Sequence, residues 1–333
     1  MKSYFKHYLL FSVFIIFSTS VFAQVKPAKL DKKIKKQVIE NIAEKLKTNY
    51  VYLDTAIKMG DFIRHQLSKG VYDTIQTPSV FAAQLTKDLL SVYHDWHLSI
   101  RFYPDLKSGT DAKDADAEKK EAERFLNFRK SVNLGFDKAE ILPGNIGYLK
   151  IRGFFEPDAE AKAMAAAALR FVSNSQYLIL DLRSNGGGDP DMVKYVCSFF
   201  FKNRTHLNDL YTRKDKSTTS YWTTPDSILN TLKTIPIYVL TSKKTFSGAE
   251  ELTYDLQTQK RAIIIGETTG GGAHPVDAFA AGFGFVANIP FARAINPITK
   301  TNWETTGVKP DIAVEADKAL DTAVAHIKNS QHP

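Results

Sequence analysis

The stretch "QYLILDLRSNGGGDPDMVKYVCSFFF", residues 176–201, sets the fold class. Its first part is an apolar run without alternation, the pattern of a strand buried on both faces. Three glycines interrupt the run. The segment "DPDMVKYVCSFFF" (189–201) then reads as a helix. The same order recurs on both sides. "GNIGYLKIRGF" (144–154) reads as a strand and "DAEAKAMAAAALRFVSNS" (158–175) as a helix. "IPIYVLTS" (235–242) reads as a strand, "GAEELTYDLQTQ" (248–259) as a helix and "AIIIGETT" (262–269) as a further strand. Strands alternating with helices imply an α/β core with at least partly parallel strands. Such sheets place ligands outside the carboxyl ends of their strands. Three loops fall there: "RSNGGGDP" (183–190), "KKTFSG" (243–248) and "TTGGGAHP" (268–275).

Upstream, residues 31–94 have helical periodicity. Ile34, Val38, Ile42 and Leu46 fall on one face. "TAIKMGDFIRHQLSKG" ends at Gly70, a C-cap residue type, and Thr77 with Pro78 opens a third helix. Three helices joined by short loops make a small bundle. "WHLSIRFYP" (96–104) alternates as a strand does. The charged run "KSGTDAKDADAEKKEAERF" (107–125) is a surface loop or an exposed helix. The first residues have Lys2 and Lys6, an apolar run and "VFA", which is the pattern of a secretory signal peptide cut after Ala23. Tyr8 to Phe22 is short for a span of about 20 residues, so no membrane span is expected after cleavage. No cysteine stands at the cut for lipidation. The expectation is export, to a periplasm or the medium. The division read from the chain is 1–23 signal peptide, 24–95 helical domain, 96–129 strand and charged connector, 130–325 α/β core and 326–333 tail.

Composition excludes several classes. With 333 residues and 44% hydrophobic content, the chain can bury a sizeable core. The net charge of +8 comes from scattered lysines, without the aromatic-interleaved basic stripe of a nucleic-acid binder. One cysteine, Cys197, cannot form an intrachain disulfide and reads as a buried structural thiol. The glycine runs lack G-x-G-x-x-G and lack the P-loop lysine, so no nucleotide cofactor is implied. His94 and His97 have no third ligand at metal-site spacing.

The chemistry centres on Ser247 in "KKTFSGAEEL". Locally, "SGAEEL" is a capping box, with Glu250 reaching back to a Ser247 cap. A serine at a helix start is also well placed for nucleophilic work, because backbone N–H groups and the helix dipole stabilise negative charge there. The amide of Gly248 can serve an oxyanion, and Gly187 or Gly188 lets the backbone approach a substrate carbonyl. The hydroxyl needs a base. His94, His97 and His274 are the histidines outside the leader, the helical faces, the polar loops and the tail. His97 stands where the helical region hands over to a strand.

Taken together, "YLILDLRSNGGG", "LTSKKTFSGAEELTYDLQ", "AIIIGETTGGGA" and "NWETTGVKPDI" resemble, in order, the tail-specific (C-terminal processing) serine peptidases. The resemblance is strongest to the branch that holds the tricorn core and the interphotoreceptor retinoid-binding protein modules. It covers roughly residues 30–320. It implies a crotonase-like (ββα spiral) α/β core with a small N-terminal helical bundle, and a peptide or protein substrate. It matches the nucleophile to Ser247, the oxyanion donors to the amides of Gly248 and Gly187, the base to His97 and a supporting acid to Glu304. The processing branch uses a lysine after the serine. Gly272 occupies that position here, which excludes a Ser–Lys dyad. Trp96 stands where the tricorn peptidase has a serine linking histidine to glutamate, and Asp95 is an alternative orienting group. The branch often has glycine at the positions of Thr305 or Thr306. The segment between "DWHLSI" and the core is too short for a PDZ domain.

The chain therefore reads as an exported serine peptidase without a cofactor. The alternative is a carrier of an apolar, retinoid-like or lipid-like ligand, with "FGFVANIPFA" (283–292) and "CSFFF" (197–201) as pocket lining. The sequence leaves the oligomeric state open.

Overall fold

Strand β4, Tyr177–Asp181, lies inside the core, with Leu178, Ile179 and Leu180 fully buried, as its unbroken apolar run requires. The computed structural model that shows this describes residues 30–104, 106, 115–225 and 229–330. The sequence-read signal peptide lies outside the described residues. No described helix is long and apolar enough to cross a membrane.

In chain order the elements are α1 Lys32–Asn49, α2 Leu53–Ser68, α3 Pro78–Val92, β1 Ser99–Phe102, α4 Ala115–Ser131, β2 Phe136–Leu142, β3 Ile146–Ile151 and α5 Ala159–Phe171. After β4 come α6 Pro190–Cys197, β5 His206–Thr212, β6 Ser217–Trp222, β7 Ile237–Thr241, α7 Gly248–Thr258 and β8 Ala262–Gly266. The last are β9 Val276–Gly282, β10 Phe285–Pro290, β11 Ala292–Ile295, β12 Ile312–Ala313 and α8 Ala319–Ser330. Strands β11, β5 and β6 form a sheet in that order.

The chain forms two units, which are discontinuous in sequence. Among the described residues one unit takes 30–104, 106, 211–217 and 274–293, and the other takes 115–210, 218–225, 229–273 and 294–330. The first unit contains α1, α2 and α3. Asp31 caps α1 by accepting the Ile34 N–H at 2.8 Å, and Val38, Ile39, Ile42 and Leu46 are buried along one face. Beside the helices lies an antiparallel meander, β1-β10-β9, with Ser99 opposite Asn288 and Val286 opposite Ala280. The compact units are thus each assembled from separate stretches of the chain. Residues 274–293 return to the first unit because β10 pairs with β1, a long-range pairing that periodicity does not encode.

The second unit is built on a six-stranded sheet in the order β12-β8-β7-β4-β3-β2. Its neighbours are parallel except for the β2–β3 pair. One face packs under α5, α6 and α7, and α8 joins Ile179, Tyr238 and Ile265 on the other. The helices and strands expected over 144–269 are present. Strand β2 and the pair β5 and β6 were not expected from the sequence.

The two apolar stretches offered as pocket lining are used for packing. Cys197, Phe199, Phe200 and Phe201 belong to the core of the second unit, and Phe285, Ala287 and Ile289 to that of the first. A cavity in the first unit lined by Leu30, Ile34, Pro78, Phe102, Phe283 and Phe285 measures about 30 Å³. That volume suits a water molecule or two, not a retinoid.

Helix α7 carries two acids one turn apart on its buried face, Glu251 and Asp255. Burial pushes the Glu251 carboxyl up to about 8, opposed by Asn208 and reinforced by Asp189 and Asp191. Burial also pushes Asp255 up, with Glu251 adding to it. Such acids bind protons more tightly in the folded chain than in the unfolded one. Their contribution is full below the ordinary carboxylate range and declines as pH rises through about 8. Glu251→Gln should flatten the fall of the thermal midpoint between pH 5 and 9. Midpoint-against-pH curves of equal slope for wild type and variant would refute this assignment.

Candidate active site

Three loops leave the carboxyl ends of parallel strands in the second unit: 182–189 after β4, 242–247 after β7 and 267–273 after β8. They are stitched together by their own polar groups. Thr245 Oγ1 donates to Leu182 O at 2.8 Å, and Ser242 Oγ donates to Arg183 O at 2.6 Å. Phe246 N–H donates to Asn185 O at 3.0 Å, and Gly270 N–H to Thr245 O at 2.9 Å. The base of the first loop is anchored by Asp181, which accepts from Arg183 through both oxygens and from the Tyr148 hydroxyl at 2.6 Å. Burial would raise Asp181, but Arg183 and Tyr148 outweigh it and hold the carboxyl below its ordinary range.

Ser247 heads α7 at φ 54° and ψ −122°, a left-handed conformation uncommon for a residue with a Cβ. Strain of this kind, worth about 1–3 kcal/mol, persists only where neighbours enforce it. The neighbours are identifiable. Gly187 has φ 99°, and a Cβ there would lie 2.7 Å from Ser247 Cβ, Gly248 N and Phe246 O. At Gly188, φ 140°, a Cβ would lie 1.9 Å from Phe154 O. No other residue type fits either position. Gly248 N–H is among the first-turn donors of α7, which have no acceptor within a helix.

Glu250 fixes the serine from the other side. Its carboxylate accepts Ser247 N–H at 2.9 Å, Gly271 N–H at 2.7 Å, Gly272 N–H at 2.8 Å and the Thr269 hydroxyl. The Glu250 half of the capping box is therefore present, and the same carboxylate also ties down the glycine loop after β8. Burial pushes this carboxyl up to about 7 against the pull of the Thr269, Gly272, Gly271 and Ser247 donors.

The other sequence-read residues fall as follows. Gly187 N–H, assigned to an oxyanion, donates here to Asn185 Oδ1 at 2.8 Å. Glu304 Oε2 accepts Ala273 N–H at 2.6 Å, and Trp303 Nε1 donates to Gly272 O at 2.8 Å. Segment 303–305 thus braces the glycine loop. Thr305 N–H donates to Gly271 O at 2.9 Å. Thr305 has φ 62°, a conformation that glycine adopts without strain, which explains the expectation of glycine at this point.

In the first unit, the turn between α3 and β1 carries Asp95, Trp96 and His97. His94 lies edge-on to Trp96 with ring centroids 4.2 Å apart. Asp95 Oδ2 lies 2.8 Å from Nδ1 of His274. To His97 it offers Oδ1, which accepts the backbone N–H at 3.1 Å. Burial pushes the His97 imidazole down to about 4, opposed by Asp95 and reinforced by His274. Within neither unit do the described residues bring three His, Cys, Asp or Glu ligand atoms together at metal-site spacing. Sequence reading missed the fourfold role of Glu250, the Asp181–Arg183 anchor and the Asp95–His274 pair. For Glu250 the capping-box spacing was the available signal. The other two depend on contacts that spacing does not reveal.

Residues 145–314 match the model of peptidase family S41, and residues 28–130 match the N-terminal domain of Peptidase_S41 in eukaryotic IRBP. The chain is 30% identical over 202 residues to carboxyl-terminal-processing peptidase 2, chloroplastic, of Arabidopsis thaliana, covering 55% of this chain and 36% of that protein. It is 27% identical over 173 residues to the carboxy-terminal processing protease CtpB of Bacillus subtilis, covering 51% and 34%. The matches thus span about a third of the length of these curated relatives. The crystal structure of the tricorn protease superposes with a TM-score of 0.59 at 14% identity, over 90% of this chain and 37% of that one, a likeness of fold.

Glu250→Gln replaces an acceptor oxygen with an amide NH2, a donor that cannot accept from the loop. Each buried donor stranded in this way costs about 1–3 kcal/mol. Urea unfolding should show the variant destabilised by at least that amount, and an unchanged midpoint would contradict the clamp.

Proposed function

The chain belongs to peptidase family S41, and on that premise we propose that it is an exported serine peptidase with Ser247 as nucleophile and His97 as general base. The observation that carries this reading is the strained backbone of Ser247 at the head of α7, pressed on by a glycine turn that tolerates no side chain. A helix-capping serine needs no such conformation, whereas a serine held forward for attack does.

In the proposed reaction, Ser247 Oγ attacks the scissile carbonyl carbon while the His97 imidazole takes its proton. The carbonyl oxygen becomes an oxyanion bonded by Gly248 N–H and by Gly187 N–H. The latter is shared with Asn185 Oδ1 as a three-centre bond. Collapse returns the His97 proton to the leaving amine. Water, deprotonated by His97, then cleaves the acyl-enzyme. Each oxyanion donor is worth about 3–4 kcal/mol of barrier. Glu304 supports the base in this reading, and its bond to Ala273 N–H also holds the glycine loop. The core is read as a crotonase-like spiral. The β2–β3 antiparallel start followed by parallel β4, β7 and β8 supports that. Export rests on the N-terminal sequence pattern, and the substrate is a peptide or protein.

Ser247→Ala should abolish hydrolysis of a mixed peptide library and labelling by a fluorophosphonate probe, with an unchanged circular dichroism spectrum. Labelling that persists in the variant removes Ser247 from this role. His97→Ala should lose turnover by several orders of magnitude.

The pH profile gives an independent check. A base must be unprotonated to act, and an imidazole pushed down to about 4 is unprotonated throughout the neutral range. The acid limb of kcat/KM should therefore lie well below 6.5, the ordinary histidine value. A limb at or above 6.5 would contradict His97 as the titrating base.

A further inference from the structure

Within the first unit, one carboxylate gathers donors from three parts of the chain. Asp95 is fully buried. Its Oδ2 accepts the Tyr50 hydroxyl at 3.0 Å and faces His274 Nδ1 at 2.8 Å. Its Oδ1 accepts the backbone N–H of His97 at 3.1 Å. Its own backbone closes the turn, with Asp95 N–H on Tyr93 O at 3.1 Å and Leu98 N–H on Asp95 O at 3.0 Å. Tyr50 is itself held at the end of α1, where its carbonyl accepts Arg213 Nε at 2.7 Å. The Tyr52 ring stands edge-on to His274, with centroids 5.6 Å apart.

Two physical points follow. A buried carboxylate is tolerated only if donors replace its water, and Tyr50, His274 and the His97 amide do so here. The His97 residue also sits in a connector outside any helix or strand, so its position depends on bonds made by the turn itself. The bond on its own amide comes from Asp95. The hold on Asp95 comes from His274 and Tyr50.

Taking His97 as the base, as above, we propose that the buried Asp95–His274 pair is the positioning device of that base. His274 fixes the Asp95 carboxylate, and the carboxylate fixes the backbone from which the His97 ring projects. His274 is then a positioning residue and not a second base. Its Nδ1 faces Asp95 Oδ2 at 2.8 Å, and the kinetics of the His274 variants separate this role from that of a base acting through Nε2. Misplacing a reacting group by about 1 Å costs about 10²-fold in rate, which sets the scale of the expected effect.

The test compares His274→Ala with His274→Asn, alongside His97→Ala, in steady-state hydrolysis of a peptide library. The Asn amide can donate near the position of Nδ1 but cannot act as a base. His274→Ala should lose about 10²-fold in kcat with KM little changed, and His274→Asn should recover most of that loss. The pH profile adds a readout that a purely structural role leaves in place. His274 pulls the His97 imidazole down and Asp95 pulls it up. His274→Asn should therefore move the acid limb to higher pH, and Asp95→Asn should move it lower. The other titratable side chains of this unit about the turn are Tyr50, Tyr52, Tyr93 and His94.

The outcomes separate the two claims. If His97→Ala is inactive while His274→Ala keeps wild-type kcat and acid limb, the positioning role is overturned and the base assignment stands. If His97→Ala is active while both His274 variants are inactive, His274 is the base and both claims fall. Should the Ala variant not fold, Tyr50→Phe removes the 3.0 Å bond and keeps the ring. It should lower kcat several-fold and lower the thermal midpoint modestly, because the buried carboxylate loses one donor, and wild-type kinetics in that variant would overturn the proposal.

Discussion

The bonds around the Glu250 carboxylate hold the second unit's site together. One buried acid, set in the first turn of α7, accepts the amide of Ser247 and two amides of the glycine loop after β8. The nucleophile candidate and the loop beyond it are therefore not positioned independently. The arrangement is possible because β7 and β8 are parallel neighbours, so their loops emerge at the same end of the sheet. The Glu250 side chain is fully buried, so its oxygens take their donors from the protein and not from water. Glu250 supplies four acceptor contacts from a single side chain.

The first loop is tied in by sterics and hydroxyl bonds together, and the third by the hydrogen bonds of Glu250. Gly187 and Gly188 bring the backbone after β4 so close to Ser247 and Phe154 that no side chain could stand between them. Thr245 and Ser242 then close the gap to residues 182 and 183 with hydroxyl bonds. The left-handed conformation of Ser247 results from these constraints. The helix start sets its carbonyl side, Glu250 its amide and Gly187 its outer face. A chemical consequence follows for the reading as a peptidase. The hydroxyl is carried on a rigid support, so little reorganisation is needed when charge develops.

In the first unit, charge is handled differently. Asp95 is surrounded by donors, and the His97 imidazole beside it is kept neutral by burial. Burial of the imidazole favours its uncharged form, and Asp95 only partly opposes that. A neutral imidazole is the form that can accept a proton. In α7 the same physics keeps Glu251 and Asp255 protonated, with no chemical role assigned to them. Perturbed acids and bases thus occur both at the site and away from it, and geometry has to tell them apart.

The sequence alone fixed what depends on local pattern. The apolar run at 177–180, the start of α3 at Thr77 and Pro78, and the strand–helix alternation over 144–269 were all legible, because each follows from neighbours a few residues apart. The ordered motifs also pointed to Ser247 and to the family. The partners of the site residues were not legible. That Asp95 holds His274 across a separation of 179 positions, that Glu250 binds residues 269, 271 and 272, and that 274–293 return to the first unit were decided by tertiary structure. The physical reason is that a buried polar group is satisfied by whatever the packed backbone brings within about 3 Å, and separation along the chain carries no record of that distance.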